Sequence, residues 1–186
     1  IGGNRGMAGA IRLSAESALR CGVGLVKVYC HESSSIGISA GRPEIMLTHR
    51  ELEVALDWCS CIVVGPGLGQ NDWAHQQFSH LFEYLKHHPK PLVIDADGLN
   101  LLAAMADDSD ILNTLAGLSA TVLTPHPGEA SRLLNCNIAK IENDRYLACQ
   151  NIAQKYQSTC LLKGAGTIIQ MDGAHQEPQC FVCKGG

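Results

Sequence analysis

The chain alternates short, continuous apolar runs with stretches of helix length, and this alternation constrains its fold more than any other feature. The runs are Leu25–Cys30, Cys61–Gly65, Leu92–Asp95, Thr121–Thr124, Thr159–Lys163 and Thr167–Met171. They lack polar alternation, the pattern of strands covered on both faces of a parallel sheet. The helical segments are Ala8–Cys21, Asp72–His87, Leu99–Ala106, Ile111–Leu115, Gly128–Asn135 and Glu142–Tyr156. In Ala8–Cys21, Ala10, Leu13, Ser14, Ser17 and Ala18 read as the inner face, with Arg12, Glu16 and Arg20 opposite. The fold expected is α/β, a mostly parallel central sheet with helices on both faces. The end of the chain differs. Thr167–Met171 and Gln179–Cys183 flank Asp172-Gly173, a strong turn signal, and predict a C-terminal hairpin.

Composition narrows what such a chain can do. With 186 residues, 46% of them hydrophobic, it is long and apolar enough to bury a core, which excludes disorder. A single domain over residues 1–186 is expected. The net charge of −4, with no basic stripe, argues against nucleic acid as a partner. No apolar run approaches the ~20 residues that cross a bilayer, and no signal peptide is expected. The nine cysteines are odd in number and follow no disulfide spacing. Cys21, Cys61, Cys149 and Cys160 sit among apolar residues, as reduced thiols in a cytoplasmic protein do. Cys59-x-Cys61 and Cys180-x-x-Cys183 have no partner pair to complete four ligands, so no zinc is expected.

In open α/β sheets, ligands bind beyond the carboxyl ends of the strands. The residues there are rich in chemistry. Gly65-Pro66-Gly67-Leu68-Gly69 lets backbone N–H groups approach an anion, or simply makes a tight turn. It is not a Walker loop, because no Lys-Ser/Thr follows. Asp95-Ala96-Asp97-Gly98-Leu99-Asn100 offers two carboxylates for magnesium or a ribose hydroxyl. Asp97 also reads as a helix N-cap, whereas Asp95 ends an apolar run and needs a partner. Thr124-Pro125-His126-Pro127-Gly128-Glu129 holds His126 between two prolines at a strand end, with Glu129 in the first helical turn, where the dipole favours it. Lys163-Gly164-Ala165-Gly166-Thr167 combines a point charge, two bends and a hydroxyl into a plausible phosphate cradle, or a plain glycine hairpin. The opening Gly2-Gly3-Asn4-Arg5-Gly6-Met7-Ala8-Gly9-Ala10 is a further glycine-rich entry to a helix, and Ile1 reads as the last residue of an apolar strand.

Taken in order, these loops, with Gly22-Val23-Gly24-Leu25-Val26 and Arg42-Pro43-Glu44, resemble the ADP-dependent NAD(P)H-hydrate dehydratases of the ribokinase-like superfamily. The resemblance spans the whole chain and is to bacterial members, many of which carry an additional amino-terminal epimerase domain. It implies a cofactor-repair reaction. ADP phosphorylates the hydroxyl of hydrated NADH or NADPH, phosphate then leaves, and NAD(P)H, AMP and phosphate result. It further implies that Ala10, Gly69 and His126 contact the hydrated cofactor. Lys163, Gly164, Ala165, Gly166 and Thr167 would hold the nucleotide, and Glu129, with Asp95 and Asn100, would lie in a magnesium or phosphate shell. ADP and Mg2+ are the implied cofactors, and a homotetramer is the implied assembly.

One element of the resemblance is absent. The family's expected base is the Asp of a Gly-Asp element, and the 186 residues contain no Gly-Asp dipeptide. That Asp is expected beyond Gly186, so no catalytic residue is assigned within the chain. The C-terminal part of the fold is expected to be missing, and the segment alone is expected to be inactive. Two rival readings share the features above: a vitamin-precursor or sugar kinase of the same fold, and an inactive nucleotide-binding fragment.

Overall fold

The computed structural model describes residues 1–171 and 179–183. In chain order it contains α1 (Ala8–Arg20), β1 (Val26–Tyr29), a 3-10 turn (Glu32–Ser34), α2 (Ser35–Ser39), β2 (Ile45–Thr48), α3 (Leu52–Trp58), β3 (Ile62–Val64), α4 (Asp72–His87) and β4 (Leu92–Ile94). There follow α5 (Asp97–Ala104), α6 (Ser109–Gly117), β5 (Thr121–Leu123), α7 (Pro127–Leu133), α8 (Ile138–Asn143), α9 (Arg145–Tyr156), β6 (Thr159–Leu162), β7 (Thr167–Gln170) and β8 (Cys180–Cys183).

Strands β3 to β8 form one sheet in sequence order, and β1 pairs with β2 in a second. Pairing is parallel from β3 through β6 and antiparallel from β6 to β8. This is the mixed α/β architecture expected, hairpin included. The Asp172-Gly173 turn lies outside the described residues. Residues 1–3 join the two sheets: the Ile1 nitrogen donates to Val63 O, Gly65 N to Ile1 O, and Gly2 N to Tyr29 O. Ile1 does not itself lie in a strand, contrary to what its apolar character suggests, but its backbone pairs with Val63 of β3 and with Gly65 just after it.

Ile62, Val64, Leu92, Ile94, Leu123, Cys160 and Leu162 are buried in one continuous core with Phe78, Leu81 and Phe82 of α4 and Ile152 of α9. The residues between them, Val63, Val93, Val122 and Leu161, are only half-buried, so the second face is less covered than the unbroken apolar runs predict. Helix α1 packs through Ile11 and Ala15, with Ala8 and Leu19 beside them, on a smaller core with Val28, Ile38 and Ile45. The inner stripe is thus shifted by about one residue from the predicted one, and Leu13 is 67% exposed. Cys149 and Cys160 are buried as expected, whereas Cys21 and Cys61 are exposed.

Boundaries move where capping decides them. The predicted Glu142–Tyr156 helix begins instead at Arg145, because the Asp144 carboxylate accepts from Leu147 N and starts a new helix after α8. The α5 N-cap is Ala96, not Asp97.

Candidate active site

Because β3 to β6 run parallel, the loops after their carboxyl ends meet along one edge of the sheet. The loop after β3 interlocks with the loop after β4. Gly65 has φ of +122°, and a Cβ placed there would fall 1.8 Å from Asp95 O. Asp95 N donates to Val64 O, and Gly98 N donates to Asp95 O. Between them Ala96 is held at φ 51°, ψ −123°. Strain of this kind in a residue with a Cβ costs about 1–3 kcal/mol and persists only where the surroundings enforce it. It turns the Asp97 carboxylate back onto the neighbouring loop, where Asp97 Oδ2 accepts from Gly69 N at 2.8 Å. Asp97 thus shapes the turn that carries Gly69 and does not cap its own helix.

The glycine-rich opening packs onto the same turn. Asn4 is buried, donating through Nδ2 to Leu68 O and to Asn71 Oδ1, both at 2.8 Å. Asn4 N donates to Gly67 O. Ala10, exposed on α1, lies against this turn, since a side chain on Gly67 would come within 3.0 Å of its Cβ. Ala10 and Gly69 therefore belong to one surface.

The loops after β4, β5 and β6 supply the charged centre. Lys163 Nζ lies 2.8 Å from Asp95 Oδ1 and 3.9 Å from Glu129 Oε2. Burial pushes the Asp95 carboxyl up, but hydrogen bonds from Lys163 and Thr124 and the Lys163 charge outweigh it, leaving its pKa below the ordinary value. Glu129 is buried, 5% exposed, and its Oε2 accepts from His126 N at 2.8 Å. In return His126 Nδ1 accepts from Gly128 N at 2.9 Å and Glu129 N at 3.4 Å, a capping box with histidine in the N-cap role. Pro127 at the first helical position presets the turn. With Nδ1 accepting, His126 Nε2 lies 3.4 Å from Glu129 Oε1, in a side chain 52% exposed. His126 therefore caps α7 and keeps an exposed ring edge that a ligand can reach.

Asn100 stands apart: its Oδ1 accepts from Arg132 Nη1 at 3.1 Å, and no hydrogen bond joins it to the lysine–carboxylate group among the described residues. The Lys163–Thr167 loop follows β6, and Lys163 N is pinned to Pro125 O. Behind it lies Arg145, a residue with no part in the sequence reading. Its guanidinium donates to Leu162 O, Ala165 O and Gly166 O. A cation at the first position of a helix opposes the dipole, and that local oddity is the signal that could have drawn attention to it.

Among the described residues no three His, Cys, Asp or Glu side chains converge to hold a metal ion. A cavity of about 610 Å³ opens elsewhere, between β1 and β3, lined in part by Val26, Val28, Ile62 and Val63.

A family description, NAD(P)H-hydrate dehydratase, matches residues 1–186. The chain belongs to this family. It is 41% identical over 172 residues to the bifunctional NAD(P)H-hydrate repair enzyme of Escherichia coli, covering 91% of this chain and 31% of that protein. It is 35% identical over 187 residues to the ADP-dependent (S)-NAD(P)H-hydrate dehydratase of Neisseria meningitidis, covering 100% of this chain and 60% of that protein. Among solved structures, a ribokinase-like superfamily protein of Enterococcus faecalis superposes with a TM-score of 0.76 at 29% identity, over 96% of this chain and 60% of that one. The ADP/ATP-dependent NAD(P)H-hydrate dehydratase of Bacillus subtilis, co-crystallised with ATP/Mg2+, does so at 0.74 and 24% identity, over 100% and 62%. The fold is ribokinase-like. The chain spans about a third of the length of the E. coli repair enzyme and 60% of the meningococcal dehydratase.

Proposed function

We propose that the protein carrying this segment restores NAD(P)H from its hydrate, with ADP as phosphate donor. The observation that carries this reading is the assembly, at one sheet edge, of the Ala10–Gly69 surface, the exposed His126 donor and the Lys163 loop. The ring hydroxyl is a poor leaving group. Its phosphorylation by ADP forms a phosphate ester and AMP, and loss of phosphate with a ring proton restores the double bond. Positioning and charge supply most of the catalysis in such transfers.

Each group has a separate task. Ala10 and Gly69 lie where the hydrated ring would rest, and His126 Nε2–H donates to it. Lys163 and the Gly164–Thr167 backbone receive the nucleotide phosphates. Asp95 is ionised and ion-paired, with a pKa below the ordinary value, so it is a poor proton acceptor at neutral pH and holds Lys163 instead. Glu129 is committed to His126 N and orients that residue. The base is assigned, with the family resemblance, to an Asp of a Gly-Asp element outside these residues. A resident magnesium does not fit this donor set, because Lys163 Nζ faces both carboxylates. Magnesium enters this reading only as part of the nucleotide complex, with most of its oxygen ligands from phosphate and water. The buried, unbridged thiols of Cys30, Cys149 and Cys160 suit a reducing compartment, and we place the reaction in the cytoplasm.

The test is recovery of NADH absorbance when the full-length protein is mixed with NADH hydrate, ADP and magnesium. AMP and phosphate should appear in equal amounts. Accumulation of a stable phosphorylated product would instead identify a kinase. For His126 the structure separates two losses. His126→Ala should cost about 1 kcal/mol of stability through the lost cap and raise the KM for hydrate about ten- to hundredfold through the lost donor. His126→Asn keeps a cap, so it should retain the parent's melting temperature and still show the raised KM. An unchanged KM in both variants would remove His126 from the site.

A further inference from the structure

We propose that Arg145 is a positioning residue for the nucleotide: it sets the Lys163–Thr167 loop so that its backbone N–H groups, and not its carbonyls, face the phosphates. This rests on the reading of that loop as the nucleotide cradle. Its guanidinium takes Ala165 O and Gly166 O at 2.9 Å and Leu162 O at 3.3 Å. In a trans peptide the C=O and N–H of one unit point in opposite directions. Drawing Ala165 O toward Arg145 therefore turns Gly166 N–H to the opposite side. A loop left to itself presents carbonyls and amides alike, and carbonyl oxygens repel phosphate. Arg145 removes two of the loop's carbonyls, Ala165 O and Gly166 O, from that choice, and holds Leu162 O at the end of β6 as well.

Two further observations support the assignment. Gly164 has φ of +154°, and a Cβ there would fall 2.7 Å from Arg145 Nη2, so the glycine admits the guanidinium. Among the described residues no carboxylate lies within ion-pair distance of Arg145, whereas Arg12, Arg20 and Arg42 all pair with Glu16. Among the described residues its guanidinium hydrogen bonds all go to backbone carbonyls. A positive charge therefore stands on the carbonyl side of the loop. The arginine fork matters as well as the charge, because it meets these carbonyls with two nitrogens, Nη1 on Ala165 O and Nη2 on Leu162 O and Gly166 O.

The experiment compares the full-length parent with Arg145→Ala, Arg145→Lys and Gly164→Ala, using ADP and NADH hydrate as the two varied substrates. Arg145→Ala should raise the KM for ADP about ten- to hundredfold, the loss expected for charge-assisted hydrogen bonds. The KM for hydrate should stay within about twofold. Arg145→Lys should recover part of the ADP affinity, and Gly164→Ala, which displaces the guanidinium, should reproduce the ADP defect. Equal rises in both KM values with a lowered melting temperature would make Arg145 a structural residue only and overturn the proposal. An unchanged KM for ADP would overturn it too. Should Arg145→Ala not fold, the Lys and Gly164 variants decide by the same ratio. If the parent shows neither ADP binding nor ADP-dependent turnover, the nucleotide reading of the loop fails first, and this inference falls with it.

Discussion

Gly65→Ala should destabilise the protein more than any other single methyl group added to the site. The new Cβ would lie 1.8 Å from Asp95 O and 2.7 Å from Gly98 N, both backbone atoms that no rotamer change can move. The φ of +122° adds strain that a residue with a Cβ does not easily bear. Relief requires the β3 and β4 ends to part, breaking the Asp95 N to Val64 O bond that joins them. Overpacking and backbone strain together should cost about 4 kcal/mol, a large share of a domain's net stability. For a chain of this size that lowers the melting temperature by about 10 °C. Gly117→Ala is the control: nothing lies within 4 Å of its added Cβ, it ends α6, and it should be neutral or slightly stabilising. Calorimetry on the full-length protein checks both. A Gly65→Ala variant that melts with the parent would show that the two loops are not interlocked.

Lys163→Ala should have the largest effect on function. It removes the one cation placed within 4 Å of both Asp95 and Glu129 among the described residues. ADP-dependent turnover should fall about a hundredfold or more, as when a preorganised electrostatic partner is lost. The ADP affinity should fall more at low salt than at high salt, because the lost interaction is a screened charge. The pH dependence follows from Asp95. In the parent its pKa is lowered on folding, so the pair stabilises the fold above the ordinary carboxylate range and loses that contribution as pH falls through the lowered value. Without Lys163, burial is opposed mainly by Thr124, and the Asp95 carboxyl should rise above its ordinary value. The variant should then be less stable than the parent at pH 7, by about 1–2 kcal/mol for a half-exposed pair. That gap should narrow as the pH is lowered toward 4. A gap independent of pH, with equal ADP affinity at all ionic strengths, would return this loop to a simple glycine hairpin.

Much of the fold is legible in the residues because its strands are local signals. Runs such as Ile62–Val64 and Leu92–Ile94 are β-branched or apolar throughout and bounded by glycine, proline or aspartate. The strand Ile45–Thr48 escaped notice for the same reason in reverse. It is a four-residue strand of mixed character, mostly half-buried, and among the described residues it pairs only with β1. Helix α1 shows a different limit. Its periodicity was visible, but alanine and serine on several faces left the stripe undefined until Ile11 and Ala15 met Val28 and Ile45.

The sequence by itself determined which loops are candidates for the site, because a strand end followed by glycine, aspartate or histidine is written in consecutive residues. It could also mark Asp95 as a carboxylate in need of a partner, from the cost of ending an apolar run with a charge. Only the tertiary structure decided who that partner is. Lys163 lies 68 residues from Asp95, and parallel pairing of β4, β5 and β6 brings the two to one edge. The same holds for Asp97, which an N-cap rule assigned to its own helix. The strained turn at Ala96 instead delivers it to Gly69, 28 residues earlier. The partners of Arg145 were beyond local reading, since they are backbone carbonyls, and a carbonyl's direction is set by the loop's path and not by any side chain in the sequence.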